Sequence, residues 1–238
     1  MKLDILAFGA HPDDVELSCS ATLMKHKDLG YKIGVIDLTR GEMGTRGSVE
    51  VRNQEAINAK TIMQLDAREN LDLPDSFIEN NKEQQLSIIK MIRKYQPEII
   101  ITNAISDRHP DHGNAQKLVE EASFKAGLRK IETSIDGKTQ EAWRPKLNYQ
   151  YIQYRMQQPD LVIDTTGYMD RKIAAIKAYA SQFYNPDSKE PQTLIASESF
   201  FDSITSRDQE MGRCIERPFA EGFTVSRTIG AKNLFDLI

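Results

Sequence analysis

A Rossmann-like α/β fold, with a mostly parallel sheet and helices on both faces, is what this sequence predicts, and three observations predict it. Short apolar runs of strand character recur at residues 3–8, 32–38 and 98–102. Stretches with apolar residues at helical spacing separate them, so the strands are joined by crossovers and lie parallel. Glycine or proline closes the stretches, as Gly9, Gly30, Pro74 and Pro97 do.

Taken in order, the first run is apolar almost throughout, as a strand buried on both faces must be. Gly9 marks a turn, and Asp13 or Asp14 is placed to cap a helix carrying Leu17, Ala21 and Met24 at i, i+4, i+7, which Gly30 ends. A second strand at 32–38 runs into a polar, glycine-punctuated loop at 39–48. Ser48 is placed to cap the next helix, which puts Arg52, Ala56, Ala59 and Met63 on one face. A cation in a first helical turn opposes the helix dipole, so Arg52 either meets an anion or carboxylate or is mildly unfavourable there. A third strand at 69–73 stops at Pro74, and a third helix carries Ile88, Ile92 and Tyr95 on one face as far as Pro97. A fourth strand spans 98–102, and after the loop 103–110 a helix runs from near Asp111 to about Lys125. Residues 127–146 are polar, with a hairpin turn at 135–138, and read as an excursion from the sheet. Strands at 147–154 and 161–164 and helices at 169–182 and 193–213 follow, with the proline-bearing stretch 184–191 placed to line a pocket. One domain over residues 1–238 is expected.

A formal charge of -4 with acids and bases interspersed leaves no basic stripe for nucleic acid and no polybasic segment for a membrane surface, which points to a small-molecule partner. The apolar run 5–10 is too short for a span or a signal peptide, so a cytoplasmic location is expected. Cys19 and Cys214 lie far apart and outside any CxxC, as ordinary thiols of a reducing compartment do.

In sheets of this kind the binding crevice lies at the carboxyl ends of the strands, where chain order reverses, here between the first strand and the fourth. His11-Pro12-Asp13-Asp14 follows one and His109-Pro110-Asp111-His112 the other, and together they hold three of the four histidines. The two loops are therefore expected to meet. Pro12 removes an amide and two aspartates repel phosphate, which excludes a dinucleotide loop. Two imidazoles and one carboxylate instead match a three-ligand catalytic zinc site with an open position, and also suit Fe(II). Adjacent aspartates do not readily reach one ion together, so one ligand and one general base are expected. The two histidines of the second loop are likewise expected to divide, with His109, held extended by Pro110, facing substrate as acid or oxyanion donor.

These residues, together with Gly41-Glu42-Met43-Gly44-Thr45-Arg46-Gly47, Arg52 and Glu55-Ala56, resemble the LmbE/PIG-L family of zinc-dependent sugar de-N-acetylases across most of the chain. Within it the chain looks most like the bacillithiol-biosynthesis deacetylases, which act on N-acetylglucosaminyl-L-malate. The resemblance implies His11, Asp14 and His112 as zinc ligands, Asp13 as general base, His109 as acid or oxyanion stabiliser, and a homo-oligomer, with a hexamer as the expected form. It departs at Tyr179, where many relatives carry histidine ahead of the Ser-Gln pair. Arg52, Arg108, Glu42 and Arg46 are assigned to substrate binding, with loop ordering as the alternative for Glu42 and Arg46. Four rim arginines, Arg40, Arg46, Arg52 and Arg108, exceed what the acids on the floor need, which fits an anionic amino-sugar substrate. The alternatives are a metallohydrolase for another N-acetyl sugar, a chitooligosaccharide, an ester or a phosphoester, and a non-catalytic Rossmann-like ligand-binding module.

Overall fold

The structure, a computed structural model, describes residues 1–236. Its elements are β1 (Ile5–Gly9), α1 (Asp14–Asp28), β2 (Ile33–Thr39), α2 (Val49–Met63), β3 (Ala67–Leu73), α3 (Lys82–Tyr95), β4 (Ile99–Thr102), α4 (Pro110–Ala126), the short hairpin β5 (Ser134–Ile135) and β6 (Lys138–Thr139), β7 (Leu147–Tyr151), β8 (Leu161–Asp164), α5 (Met169–Lys177), α6 (Glu198–Arg213) and β9 (Ala220–Val225). Seven strands form one sheet in the order β3-β2-β1-β4-β7-β9-β8. All pairings from β3 across to β7 are parallel. The chain moves outward from β1 to β3 on one side and resumes with β4 on the other, so the order reverses between β1 and β4.

Alternation along β1 explains the two cores. Leu6 and Phe8 face α3 and α4 with Ile88, Ile92, Leu118 and Ala122, whereas Ile5 and Ala7 face α1 and α5 with Val15, Leu23 and Ala175. Ser48 caps α2 as expected, its hydroxyl accepting the Val51 amide, and Arg52, Ala56, Ala59 and Met63 are all buried. The polar excursion is pinned to α3 and α4 by Arg93, which donates to the carbonyls of Ala126, Leu128 and Ile131. Among the described residues no helix is long and apolar enough to cross a membrane.

Three elements differ from expectation. The helix expected at 169–182 stops at Lys177, because the following turn brings the Ser181 amide and hydroxyl onto the Glu55 carboxylate. The helix expected at 193–213 divides into a short 3₁₀ turn, Leu194–Ala196, and α6. Strand β9 has no counterpart in the sequence reading; it runs antiparallel between β7 and β8, and a glycine and a glutamate interrupt its apolar pattern.

That glutamate is a structural hub. Glu221 accepts the amides of Ala21 and Thr22 in the middle of α1, at 3.1 and 2.7 Å, and the wholly buried Lys172 ammonium at 2.6 Å. Lys172 also reaches Asp208 of α6 at 2.7 Å, and so α1, α5, α6 and β9 converge on one buried charge cluster. Removing one member of such a cluster strands the others without water. Lys172→Met is therefore expected to destabilise the fold by about 3–5 kcal/mol in urea titration, and Lys172→Met with Glu221→Gln to cost less than the two single changes summed.

Candidate metal centre and catalytic cleft

The carboxyl ends of β1 and β4 bring the two histidine loops together as the topology requires. The His11 and His109 rings meet edge to face with centroids 4.7 Å apart, and His112 lies 5.6 Å from His11 and 5.5 Å from His109. Asp14, the first residue of α1, lies beside both His11 and His112. One carboxylate oxygen is 3.2 Å from His112 Nε2 and the other 3.6 Å from His11 Nδ1. Three uncharged donors fix that carboxylate: the His11 amide at 2.9 Å, Asn103 Nδ2 at 3.1 Å and Gln153 Nε2 at 2.8 Å.

The outer nitrogen of each ring is taken by another acid. Asp75 lies 3.0 Å from His11 Nε2 and Asp107 lies 2.7 Å from His112 Nδ1. Carboxylates in those positions turn the inner nitrogens toward Asp14 and raise their basicity, the usual support for imidazole ligands. Burial alone would lower His112, but Asp14 and Asp107 outweigh it and bring the ring up to about 9; His11 is raised in the same sense by Asp111, Asp14 and Asp75. Burial would likewise raise Asp75, yet the His11 ring and the Met43 amide bring it down to about 2. Acids that hold protons on imidazoles this firmly equally favour a divalent cation in their stead, and two imidazole nitrogens with one carboxylate oxygen suit zinc or iron. The residues present thus fit the metal. Donor atoms lie within 4.8 Å of one another in two groupings, one of His11, His109 and His112, and a second of His11, Asp75 and Asp111. The two acids of the second, however, already accept the amides of Met43 and Ser76, which marks them as supports of His11.

Asp13 occupies the position before α1, but it does not cap the helix: its φ of 119° turns the side chain away from the helical amides. That backbone is strained for any residue but glycine. Its carboxylate instead meets Arg52 Nη2 at 2.9 Å, and the same nitrogen donates to the Pro12 carbonyl at 2.5 Å. Burial pushes Asp13 up to about 7 against the pull of Arg52. Gly41 makes room for this pairing, since a Cβ there would lie 2.4 Å from Arg52 Nη1. His109 caps α4, its Nδ1 accepting the Asp111 amide at 3.2 Å. With Nδ1 as acceptor the ring proton sits on Nε2, and burial with the neighbouring imidazoles holds His109 below the ordinary histidine range.

These groups line a cavity of about 850 Å³. Its far wall is α6, which presents Ser199, Ser203, Ser206 and Glu210 at one helical face. The rim arginines are less available than their number suggests. Arg40 pairs with Asp72 outside the cavity, at 2.5 Å, and Arg46 directs Nε, Nη1 and Nη2 to Ser181 O, Pro191 O and Ser188 Oγ. Glu42 accepts the Asp75 amide at 2.8 Å and is not part of the lining. Among the described lining residues, Arg108 is the one guanidinium without an acid or carbonyl partner; it stacks over the Tyr154 ring at 5.5 Å. Tyr179 is buried away from the cavity, its hydroxyl on Glu16. Residues 184–191 do not line the cavity either; the wall there comes from Thr193, Leu194 and Ile195. Asp75, Asp107 and Gln153 were not foreseen. Each follows a sheet strand at its carboxyl end, and that position was the available signal.

Fold and cleft together define a protein of the Rossmann-like α/β class with a cluster of histidines and acids gathered in a cavity at the strand switch point. The chain belongs to the PIG-L family, described as GlcNAc-PI de-N-acetylase, which its residues 6–123 match, and it is an N-deacetylase of that type. It is 33% identical over 145 residues to the uncharacterized deacetylase YaiS of Escherichia coli K12, covering 58% of this chain and 75% of that protein. It is 29% identical over 201 residues to the diacetylchitobiose deacetylase of Thermococcus kodakarensis, covering 75% and 70%. A 4-oxalmesaconate hydratase of Pseudomonas putida is 26% identical over 193 residues, covering 74% and 73%. The crystal structure of the conserved protein TT1542 from Thermus thermophilus superposes with a TM-score of 0.86 at 31% identity, covering 98% of both chains.

The three bonds from Arg46 make it a clasp on residues 181–191. Arg46→Lys, which offers one donor centre for three separated acceptors, is expected to speed limited proteolysis within that segment and leave metal content unchanged. Unaltered cleavage would return Arg46 to substrate contact.

Proposed function

We propose that the protein removes the acetyl group from an N-acetylglucosaminide, with His11, Asp14 and His112 holding a divalent metal, zinc or Fe2+. The observation that carries this reading is the Asp14 carboxylate beside two imidazoles whose outer nitrogens are already held by acids. A metal held there supplies Lewis-acid polarisation of a carbonyl and lowers the pKa of water. Asp13, oriented by Arg52, takes the proton of the water that adds to the acetyl carbon. His109, with its proton on Nε2, donates to the developing oxyanion. The C–N bond then breaks, and the proton held by Asp13 passes to the departing amine, leaving acetate and a free amino sugar.

The finer substrate reading is N-acetylglucosaminyl-L-malate of bacillithiol biosynthesis, and its support within the cleft narrows to Arg108, because Arg40, Arg46 and Arg52 have protein partners. A neutral chitooligosaccharide is the alternative, favoured by the hydroxyl-bearing face of α6. A hydration, the reaction type in the name of the 4-oxalmesaconate hydratase relative, would use the same water-activating groups without releasing acetate.

Two measurements test the proposal. His112→Ala and Asp14→Ala are each expected to lose most bound metal, and Asp13→Asn to keep it while kcat falls by roughly two to four powers of ten. Full metal in the first two variants removes the ligand assignment, and near-native turnover in the third removes Asp13 as base. For substrate, kcat/KM for acetate release from N-acetylglucosaminyl-L-malate, N-acetylglucosamine and diacetylchitobiose should favour the malate conjugate, and Arg108→Gln should shrink the preference by about tenfold. Equal values in the wild type reject anionic recognition, and no acetate from any of the three favours the hydratase reaction.

A further inference from the structure

The loop at residues 41–47 holds three glycines in seven positions, two of them, Gly41 and Gly47, at positive φ. Such a segment has much conformational freedom to lose, so its order depends on a few anchors. Met43, Gly44 and Thr45 line the cavity, so this loop bears on substrate. Its central anchor is Asp75. One oxygen of that carboxylate accepts the Met43 amide at 2.8 Å and the other lies 3.0 Å from His11 Nε2. The contact is reciprocated, because the Asp75 amide donates to Glu42 at 2.8 Å. The next residue reaches the second histidine loop, the Ser76 amide donating to Asp111 at 2.8 Å.

We infer that Asp75 is a positioning residue that braces the His11 ring with one oxygen and the 41–47 loop with the other, so that metal binding and the order of that loop are coupled. The inference rests on the reading of His11 as a metal ligand. A cation on Nδ1 makes the Nε2 proton a stronger donor, which tightens its bond to Asp75 and fixes the oxygen that holds Met43. Coupling of this kind is reciprocal: a loop ordered on Asp75 also favours the ring orientation that binds metal. Among the described residues no other carboxylate accepts from both groups, since Asp111 lies 3.5 Å from His11 Nε2 and bonds Ser76 rather than Met43.

Asparagine in place of Asp75 keeps the shape but presents an N–H to one of two groups that both need an acceptor. Asp75→Asn and Asp75→Ala are therefore expected to weaken Zn2+ binding by about 10–100-fold in chelator competition, measured on variants whose circular dichroism shows the apo-protein folded. Hydrogen exchange gives the second readout: Zn2+ should slow exchange at Met43 about tenfold in the wild type and leave it unchanged in Asp75→Asn. His11→Ala is the control. If His11→Ala binds Zn2+ as the wild type does, the ligand reading falls and this inference with it. If His11→Ala loses Zn2+ while Asp75→Asn keeps wild-type affinity, or if Met43 exchange in the wild type ignores Zn2+, the brace alone is overturned.

Discussion

The interaction on which the site depends is the seating of the Asp14 carboxylate. It accepts from the His11 amide just after β1, from Asn103 just after β4 and from Gln153 just after β7, and so it joins three strand ends that are neighbours in the sheet but distant in the chain. Uncharged donors orient it without neutralising it. The charge is left to the two imidazoles, and burial would make that charge prohibitive without them. Asn103 also accepts the Ala10 amide at 3.0 Å, so the same side chain that orients Asp14 locks the turn that presents it.

One turn separates two adjacent aspartates into two tasks. Asp14 enters the helix and points back over His11, while the positive φ of Asp13 swings its carboxylate to Arg52. A conformation costing roughly 1–3 kcal/mol persists because the Arg52 bonds to Asp13 and Pro12 over-determine it. Arg52 sits in the first turn of α2, where the helix dipole disfavours it, and the buried acid resolves that conflict. Neither residue is well placed without the other.

What could be read from the sequence was whatever local pattern or sheet topology dictates. The strand ends, the Ser48 cap and the buried stripe headed by Arg52 follow from spacing, and the meeting of the two histidine loops follows from the reversal between β1 and β4. Partnerships that span the chain left no local mark. Asp75 on His11, Asp107 on His112 and Gln153 on Asp14 depend on which strand ends lie side by side at side-chain resolution. Arg46 and Arg40 looked like rim cations because counting charges cannot reveal the acceptors at Ser181, Pro191 and Asp72. Strand β9 escaped because its Glu221 reads as exposed, whereas it is buried by the amides of α1 and the ammonium of Lys172.

The far wall of the cleft is attached in a manner that frees its surface. Helix α6 is held by the buried Phe200, Ile204, Asp208 and Met211, the first two of which also reach the cavity, and Arg207 ties it to the carbonyls of Leu17 and Gln153. Its exposed face, with Ser199, Ser203 and Ser206, contributes little to that attachment. Both histidine loops of the cavity lie within residues 6–123, which the family model matches, and α6 lies beyond them. Substitutions on the open face of α6 therefore alter the surface that the cavity presents and leave the helix's attachment in place.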